Sequence, residues 1–172
     1  MYMIEKAKIE DLKQIENIME SIKEEMRQEG NPQWGSTEDN YPSIDRLRED
    51  IEKNRMIKYV ENNTIMGIMS IVEDLSREYD ELIDNSKEKA YILHRLAIPK
   101  EYRKQNIATK LMNYVENLAK EQNIKVLKSD TEVSNYKMNN LFIKEGFIYK
   151  GKFTYDDYPG TYNYYEKDLE RR

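Results

Sequence analysis

The chain has no cysteine and a single histidine. Without cysteine it has no disulfide framework, no thiolate nucleophile and no Cys-based zinc site. One histidine excludes a His-rich metal centre, so no metal is expected. No apolar run is long enough to span a membrane, and Met1 to Glu10 lacks the apolar core of a signal peptide. The expectation is a cytoplasmic protein with no membrane role. Excess positive charge is also missing, since 28 basic residues face 33 acidic ones for a net charge of −5. A general nucleic-acid surface is therefore not expected. The 172 residues, 38% of them apolar, suffice for one domain with a real core, spanning 1–172.

Charge is nonetheless uneven. Arg95, Lys100, Arg103, Lys104 and Lys110 stand against Glu101 alone, a local net of +4. This window follows an apolar strand pattern, Tyr91 to Ile98, and precedes a helical stripe of Ile107, Ala108, Leu111, Met112, Val115, Leu118 and Ala119. A strand that turns into a helix directs several backbone N–H groups, and the positive end of the helix dipole, at one place. Such a place suits a phosphate.

Periodicity supplies the other elements. A first strand is expected over Ile4 to Ile9 and an amphipathic helix over about 11–28, broken by Gly30-Asn31-Pro32. Ser43 can cap a second helix carrying Ile44, Leu47 and Ile51. Met56 to Val60 and Thr64 to Val72 read as strands joined by a tight Asn62-Asn63 turn. Glu73 to Lys89 reads as a long polar loop with room for a short helix. A strand begins over Ile124 to Leu127 and ends near Asp130-Thr131. Ser134 is placed to cap a helix carrying Met138, Leu141 and Phe142, which Gly146 stops. Phe147 to Thr154 and Tyr162 to Leu169 close the chain as strands. The order β-α-α-β-β-β-α-β-α-β-β predicts an α/β domain with a mixed sheet.

This order, with two local motifs, resembles the GNAT superfamily of N-acetyltransferases over nearly the whole chain. Arg103-Lys104-Gln105-Asn106-Ile107-Ala108 is similar to the family's acetyl-CoA loop, Arg/Gln-x-x-Gly-x-Gly/Ala. Asp130-Thr131 through Asn135, then Asn140-Leu141-Phe142-Ile143-Lys144-Glu145-Gly146-Phe147, resembles the family's Asp-x-x-x-x-Asn … Leu-Tyr-x-x-x-Gly-Phe. Gln33-Trp34 and Tyr41-Pro42 resemble a bacterial subgroup. The resemblance implies acetyl-CoA as co-substrate. Main-chain groups of Leu96, Ala97 and Ile98 would lie beside its pantetheine arm. Backbone N–H groups from Arg103, Lys104, Gln105, Asn106, Ile107 and Ala108, with Thr109 beside them, would hold the pyrophosphate. Asn135 would hydrogen-bond the arm, and Phe142 would lie beside it.

Two departures from the family pattern carry chemistry. Asn106 replaces a glycine, and Asn is among the better non-glycine residues at positive φ. Phe142 replaces a tyrosine that serves many relatives as acid for the departing thiolate, and Phe has no proton to give. A thiol pKa of about 8–9 still makes the thiolate a tolerable leaving group.

His94, four residues before Ile98, is the natural base for an amine nucleophile, because its reference pKa is about 6.5. Its competing role is a hydrogen-bonded histidine packed in the sheet. Trp34, Tyr41 and the cluster Tyr155, Tyr158, Tyr162, Tyr164 and Tyr165 could line an acceptor pocket or simply pack. Glu73, with Asp74, could bind the acceptor or end a strand in solvent. Asp130 reads as a structural loop carboxylate. The expected activity is acetyl transfer to a primary amine of a small molecule by direct attack in a ternary complex, with the acidic surface drawing a cationic acceptor. A protein N-terminus or lysine as acceptor, and a non-catalytic acyl-CoA-binding module, are the alternatives. Both a monomer and a homodimer fit the sequence.

Overall fold

The computed structural model describes residues 1–35, 40–74 and 89–171. Among the described residues seven strands form one sheet: β1 (Tyr2–Lys6), β2 (Met56–Glu61), β3 (Thr64–Asp74), β4 (Ala90–Ala97), β5 (Val126–Glu132), β6 (Ile148–Phe153) and β7 (Tyr162–Asp168). Their spatial order is β1-β2-β3-β4-β5-β7-β6. Only β4 and β5 run parallel; every other neighbouring pair is antiparallel. The helices are α1 (Leu12–Glu29), the single turn α2 (Pro32–Gly35), α3 (Ile44–Glu52), α4 (Ile107–Glu121) and α5 (Tyr136–Lys144). This is the expected element order with α2 added.

Alternation along the strands divides the core in two. Met56 and Ile68 pack with α1 and α3 residues such as Ile15, Met19 and Leu47. Their neighbours Ile57 and Met69 pack with Leu111, Met112 and Val115 of α4 and Phe142 of α5. The sheet is thus covered on both faces, which suits its parallel centre.

Local chemistry sets most boundaries. Gly30 ends α1 at φ 69°, and its N–H bonds Arg27 O. Ser43 caps α3 by accepting the Arg46 N–H at 3.2 Å. Asn62 and Asn63 both take positive φ, 50° and 59°, between the paired Glu61 and Thr64. That is the two-residue hairpin favoured by the twist of the flanking strands.

Three expectations are corrected. The first strand is Tyr2–Lys6, and Ile9–Asp11 is a 3-10 turn leading into α1. Asn135, not Ser134, caps α5: its Oδ1 accepts the Met138 N–H at 3.3 Å, while the Ser134 hydroxyl donates to Glu132. Asp130 lies within β5 rather than in a loop. Strand β3 runs on through Glu73 and Asp74, and the rest of the expected long loop lies largely outside the described residues.

Candidate active site

The site begins where two parallel strands part. β4 and β5 pair only over Ala90–Ile92 and Val126–Lys128. Beyond that point the Ser129 hydroxyl donates to Leu93 O at 2.7 Å, and the ladder ends. A bulge in β4 accompanies the parting. Ile68 faces Ala97 and Ser70 faces His94, so Met69 opposes both Arg95 and Leu96. Arg95 adopts φ 54°, a left-handed conformation that requires support in a non-glycine residue.

That support comes from α3. Arg95 Nε donates to Asp50 Oδ2 at 2.6 Å and its Nη1 donates to the Tyr41 hydroxyl at 2.8 Å. Asp50 also accepts the Ser70 hydroxyl at 2.7 Å. Asp50 is fully buried and Arg95 nearly so, and the ion pair with the Tyr41 contact raises the guanidinium pKa against the opposing effect of burial. Arg95 therefore does not belong to the phosphate-binding charge counted from sequence; it is the rivet of the bulge.

Two cavities meet at the divergence. The first, about 330 Å³, is lined by Leu96, Ala97, Ile98, Arg103, Lys104, Asn106, Ile107, Ala108 and Thr109, facing α1 and α5 across it. The second, about 300 Å³, is lined by Trp34, Tyr41, His94, Arg95, Asp130, Tyr155, Tyr158 and Tyr162 among others. Met26, Leu96, Asn135 and Met138 border both.

The first cavity has the form of an anion cradle. Lys104 and Asn106 take φ 63° and 59°, and the first helical bond of α4 is Lys110 N–H to Asn106 O. The N–H groups of Ile107, Ala108 and Thr109 precede that bond and have no intrahelical acceptor. Successive amides turned by left-handed residues at a helix start make a concavity for an anion. Gly67 brings this helix start close to the sheet: a Cβ there would stand 3.0 Å from Ile107 Cγ2 and 3.3 Å from Ile98 Cγ1.

Much of the expected positive charge is consumed internally. Arg103 binds both oxygens of Glu25 at 2.5 and 2.7 Å and donates to Ile98 O at 3.0 Å. Lys137 joins Glu25 to Glu29 at 2.6 and 2.7 Å. These bonds, Arg103 first, hold the Glu25 carboxyl down at about 2. Lys110 is drawn to the rings of Tyr2 and Tyr59. Lys104 and Lys144 remain on the cleft wall.

In the second cavity His94 is half-buried. Burial, then the charges of Arg95, Arg46 and Arg55, push its imidazole down to about 3. It is neutral near pH 7. Trp34 is buried and reaches the cavity from the α1 side. Gln33 beside it accepts from Thr131 Oγ1 at 3.1 Å and Glu132 N–H at 3.3 Å, tying α2 to β5. Asp130 takes the Tyr155 hydroxyl at 2.9 Å. Tyr164 and Tyr165, grouped with the lining tyrosines on sequence, pack elsewhere: Tyr164 with Ile92, and Tyr165 against Phe142 with its hydroxyl on Asn139. Phe142 is buried against Phe147 and Tyr165 and touches the cavity floor. Glu73 takes the second of its two expected places, a strand end in solvent. It is exposed, pairs with Lys89 at 3.3 Å and lines neither cavity. No cluster of metal-ligating side chains is found among the described residues.

Sequence reasoning missed Glu25, Asp50, Arg46 and Arg55. Each lies far along the chain from its partners: folding brings Asp50, Arg46 and Arg55 to β4 and Glu25 to Arg103.

A mixed sheet with a parting centre, a bulged strand and a phosphate-type helix start defines a fold with known relatives. The acetyltransferase (GNAT) family model matches residues 16–147. A GNAT acetyltransferase from Streptococcus agalactiae 2603 superposes with a TM-score of 0.84 at 22% identity, covering 99% of this chain and 96% of that one. A candidate acetyltransferase from Staphylococcus aureus Mu50 reaches a TM-score of 0.73 at 30% identity over 98% of this chain and 99% of that one. The yncA protein of Salmonella typhimurium, a candidate acetyltransferase whose structure holds its cofactor acetyl-CoA, has a TM-score of 0.69 at 13% identity, with coverage of 99% and 95%. A comparison with curated proteins finds no match. The chain belongs to the GNAT family of acetyltransferases.

Proposed function

We propose that the protein transfers acetyl from acetyl-CoA to a primary amine of a small molecule within a ternary complex. The observation that carries this reading is the meeting of two cavities at the β4–β5 divergence, one built for a diphosphate and one lined by polar and aromatic side chains. Backbone amides of Lys104 to Ala108, with Thr109 at the same helix start, hold the pyrophosphate, while the Arg103 N–H, expected to join them, is taken by Lys100 O at 3.3 Å; Lys104 and Lys144 add charge. The pantetheine arm runs along Leu96, Ala97 and Ile98, on the side where the ladder with β5 has ended. Asn135 reaches it through its side-chain amide nitrogen, because its oxygen is committed to capping α5.

Attack by the amine nitrogen forms a C–N bond, and the C–S bond breaks with its electron pair leaving on sulfur. Negative charge on the carbonyl oxygen is met by a backbone N–H of the Leu96–Ile98 stretch. His94 serves as a neutral acceptor. With a pKa near 3 it cannot strip an alkylammonium, so the amine gives its first proton to solvent and attacks from its neutral fraction. It accepts a hydrogen bond from the attacking N–H and takes that proton once bond formation makes the nitrogen acidic. Phe142 donates nothing, and the low basicity of a thiolate makes it a tolerable leaving group without that tyrosine.

Calorimetric titration with acetyl-CoA, followed by a free-thiol assay across a panel of primary amines, tests the reading. Binding together with acceptor-dependent thiol release is expected. Tight binding with no turnover for any amine would identify a non-catalytic acyl-CoA-binding module instead, and no binding would end both readings.

A further inference from the structure

The second cavity has a charge pattern that the transfer reaction alone does not require. Arg46, from the first turn of α3, and Arg55, just before β2, both line it beside His94 and Arg95. Arg95 is balanced by Asp50 and Tyr41. Arg46 and Arg55 are not balanced in the same way. Their described carboxylate neighbour is Glu49, at 3.5 and 3.7 Å, distances too long for strong hydrogen bonds. Glu49 is held at 2.5 Å by a third cation, Lys53. One carboxylate thus serves three cations and does not itself line the cavity. Both guanidinium groups keep solvent access, with side-chain exposures of 44% and 31%.

The opposite wall differs. Asp130 is the acidic residue that lines the cavity among the described residues, beside Tyr155, Tyr158 and Tyr162. The chamber therefore has a cationic side and an acidic, phenolic side. This polarity runs against a protein whose net charge is −5. The coenzyme's phosphates do not explain it. They are assigned to the other cavity, which shares only Met26, Leu96, Asn135 and Met138 with this one. An attraction of simple cationic amines, as expected from net charge, is the wrong sign for this wall.

We propose that the acceptor is an amino-acid-like molecule whose carboxylate, or an equivalent oxyanion, is bound by Arg46 and Arg55 while its amine faces the β4 bulge. This deepens the acetyl-transfer reading and rests on it. The planar guanidinium fork matches a carboxylate's two oxygens, which a point charge does not. The cavity volume of about 300 Å³ has room for a molecule the size of a single amino acid.

Matched pairs test it. Each of a set of free amino acids is compared with its own carboxamide at fixed ionic strength, by thiol release with acetyl-CoA and by calorimetry with the CoA complex. The acids are expected to show lower KM or tighter binding by about tenfold or more. That preference should collapse in R46Q and R55Q, and survive in R48Q, which removes the same charge from an exposed α3 position outside the cavity. Aminophosphonates in the same panel separate a carboxylate site from a general oxyanion site, and a preference for either over the amide supports the proposal. Equal use of acids and amides, a preference for amides, or an acid preference that R46Q and R55Q leave intact overturns it. So does a panel in which no acid binds or turns over. Turnover of plain amines with no acid preference would remove this inference while leaving acetyl transfer standing.

Discussion

Asn106 sits at φ 59° at the start of α4, where the family pattern has glycine. Asparagine tolerates that conformation but glycine adopts it freely. Asn106→Gly is expected to bind acetyl-CoA as tightly as the parent or better, read by calorimetry. Asn106→Val, β-branched and strained at positive φ, is expected to bind it at least several-fold more weakly. His94 offers a second test at this scale, because it is the only histidine in the chain. Its folded-state pKa near 3 lies below the unfolded value of about 6.5. Between those values the unfolded chain holds a proton that the folded one lacks. Stability linked to His94 is therefore fully present above pH 6.5 and is lost as pH falls toward 3. The single imidazole NMR signal is expected to stay fixed from pH 8 to 5. His94→Gln should reduce the pH slope of the urea midpoint between pH 6.5 and 4.

At the scale of elements, the bulge of β4 depends on a buried ion pair from α3. Asp50→Ala leaves Arg95 charged and uncompensated, at an expected cost of about 3–5 kcal/mol in urea unfolding. Gly67→Val would push Ile107 outward, and with it the amides that open α4. Weaker coenzyme binding is expected from calorimetry, alongside a loss of stability typical of overpacking, about 1–3 kcal/mol. These cases mark what could be read from the chain in advance. The helices α1, α3 and α4, the Asn62-Asn63 hairpin and the strand before Pro99 announce themselves through local periodicity and turn chemistry. The cap of α5 was misplaced by one residue because Ser134 and Asn135 are both good caps, and Glu132 claims the serine hydroxyl. The bulge was invisible, since nothing local to Arg95 favours a left-handed arginine; its stabilising partner is 45 residues away. Glu25, likewise, captures Arg103 across 78 residues. Charge counted along the sequence cannot tell a free cation from one already spent on a distant carboxylate.

For the molecule as a whole, two cavities that touch while remaining distinct fit the proposed ternary complex. Initial-rate plots at varied acetyl-CoA and amine should give intersecting lines. Parallel lines, the mark of a covalent acyl-enzyme, would contradict direct attack in a chain with no cysteine. The net charge of the chain also misleads at this scale. An acidic surface favours cations in the far field, yet the chamber beside His94 turns a cationic wall toward its occupant.

In the proposed complex, the border shared by Leu96, Asn135, Met26 and Met138 becomes a ruler for the donor. With the pantetheine arm laid along Leu96 to Ile98 as proposed, a two-carbon acyl group would end at this threshold. A butyryl or hexanoyl thioester would thread its tail through and occupy the room the nucleophile needs. Longer donors should thus bind well yet behave as inhibitors competitive with the amine, and trimming Met138 to alanine should lengthen the tail that is tolerated.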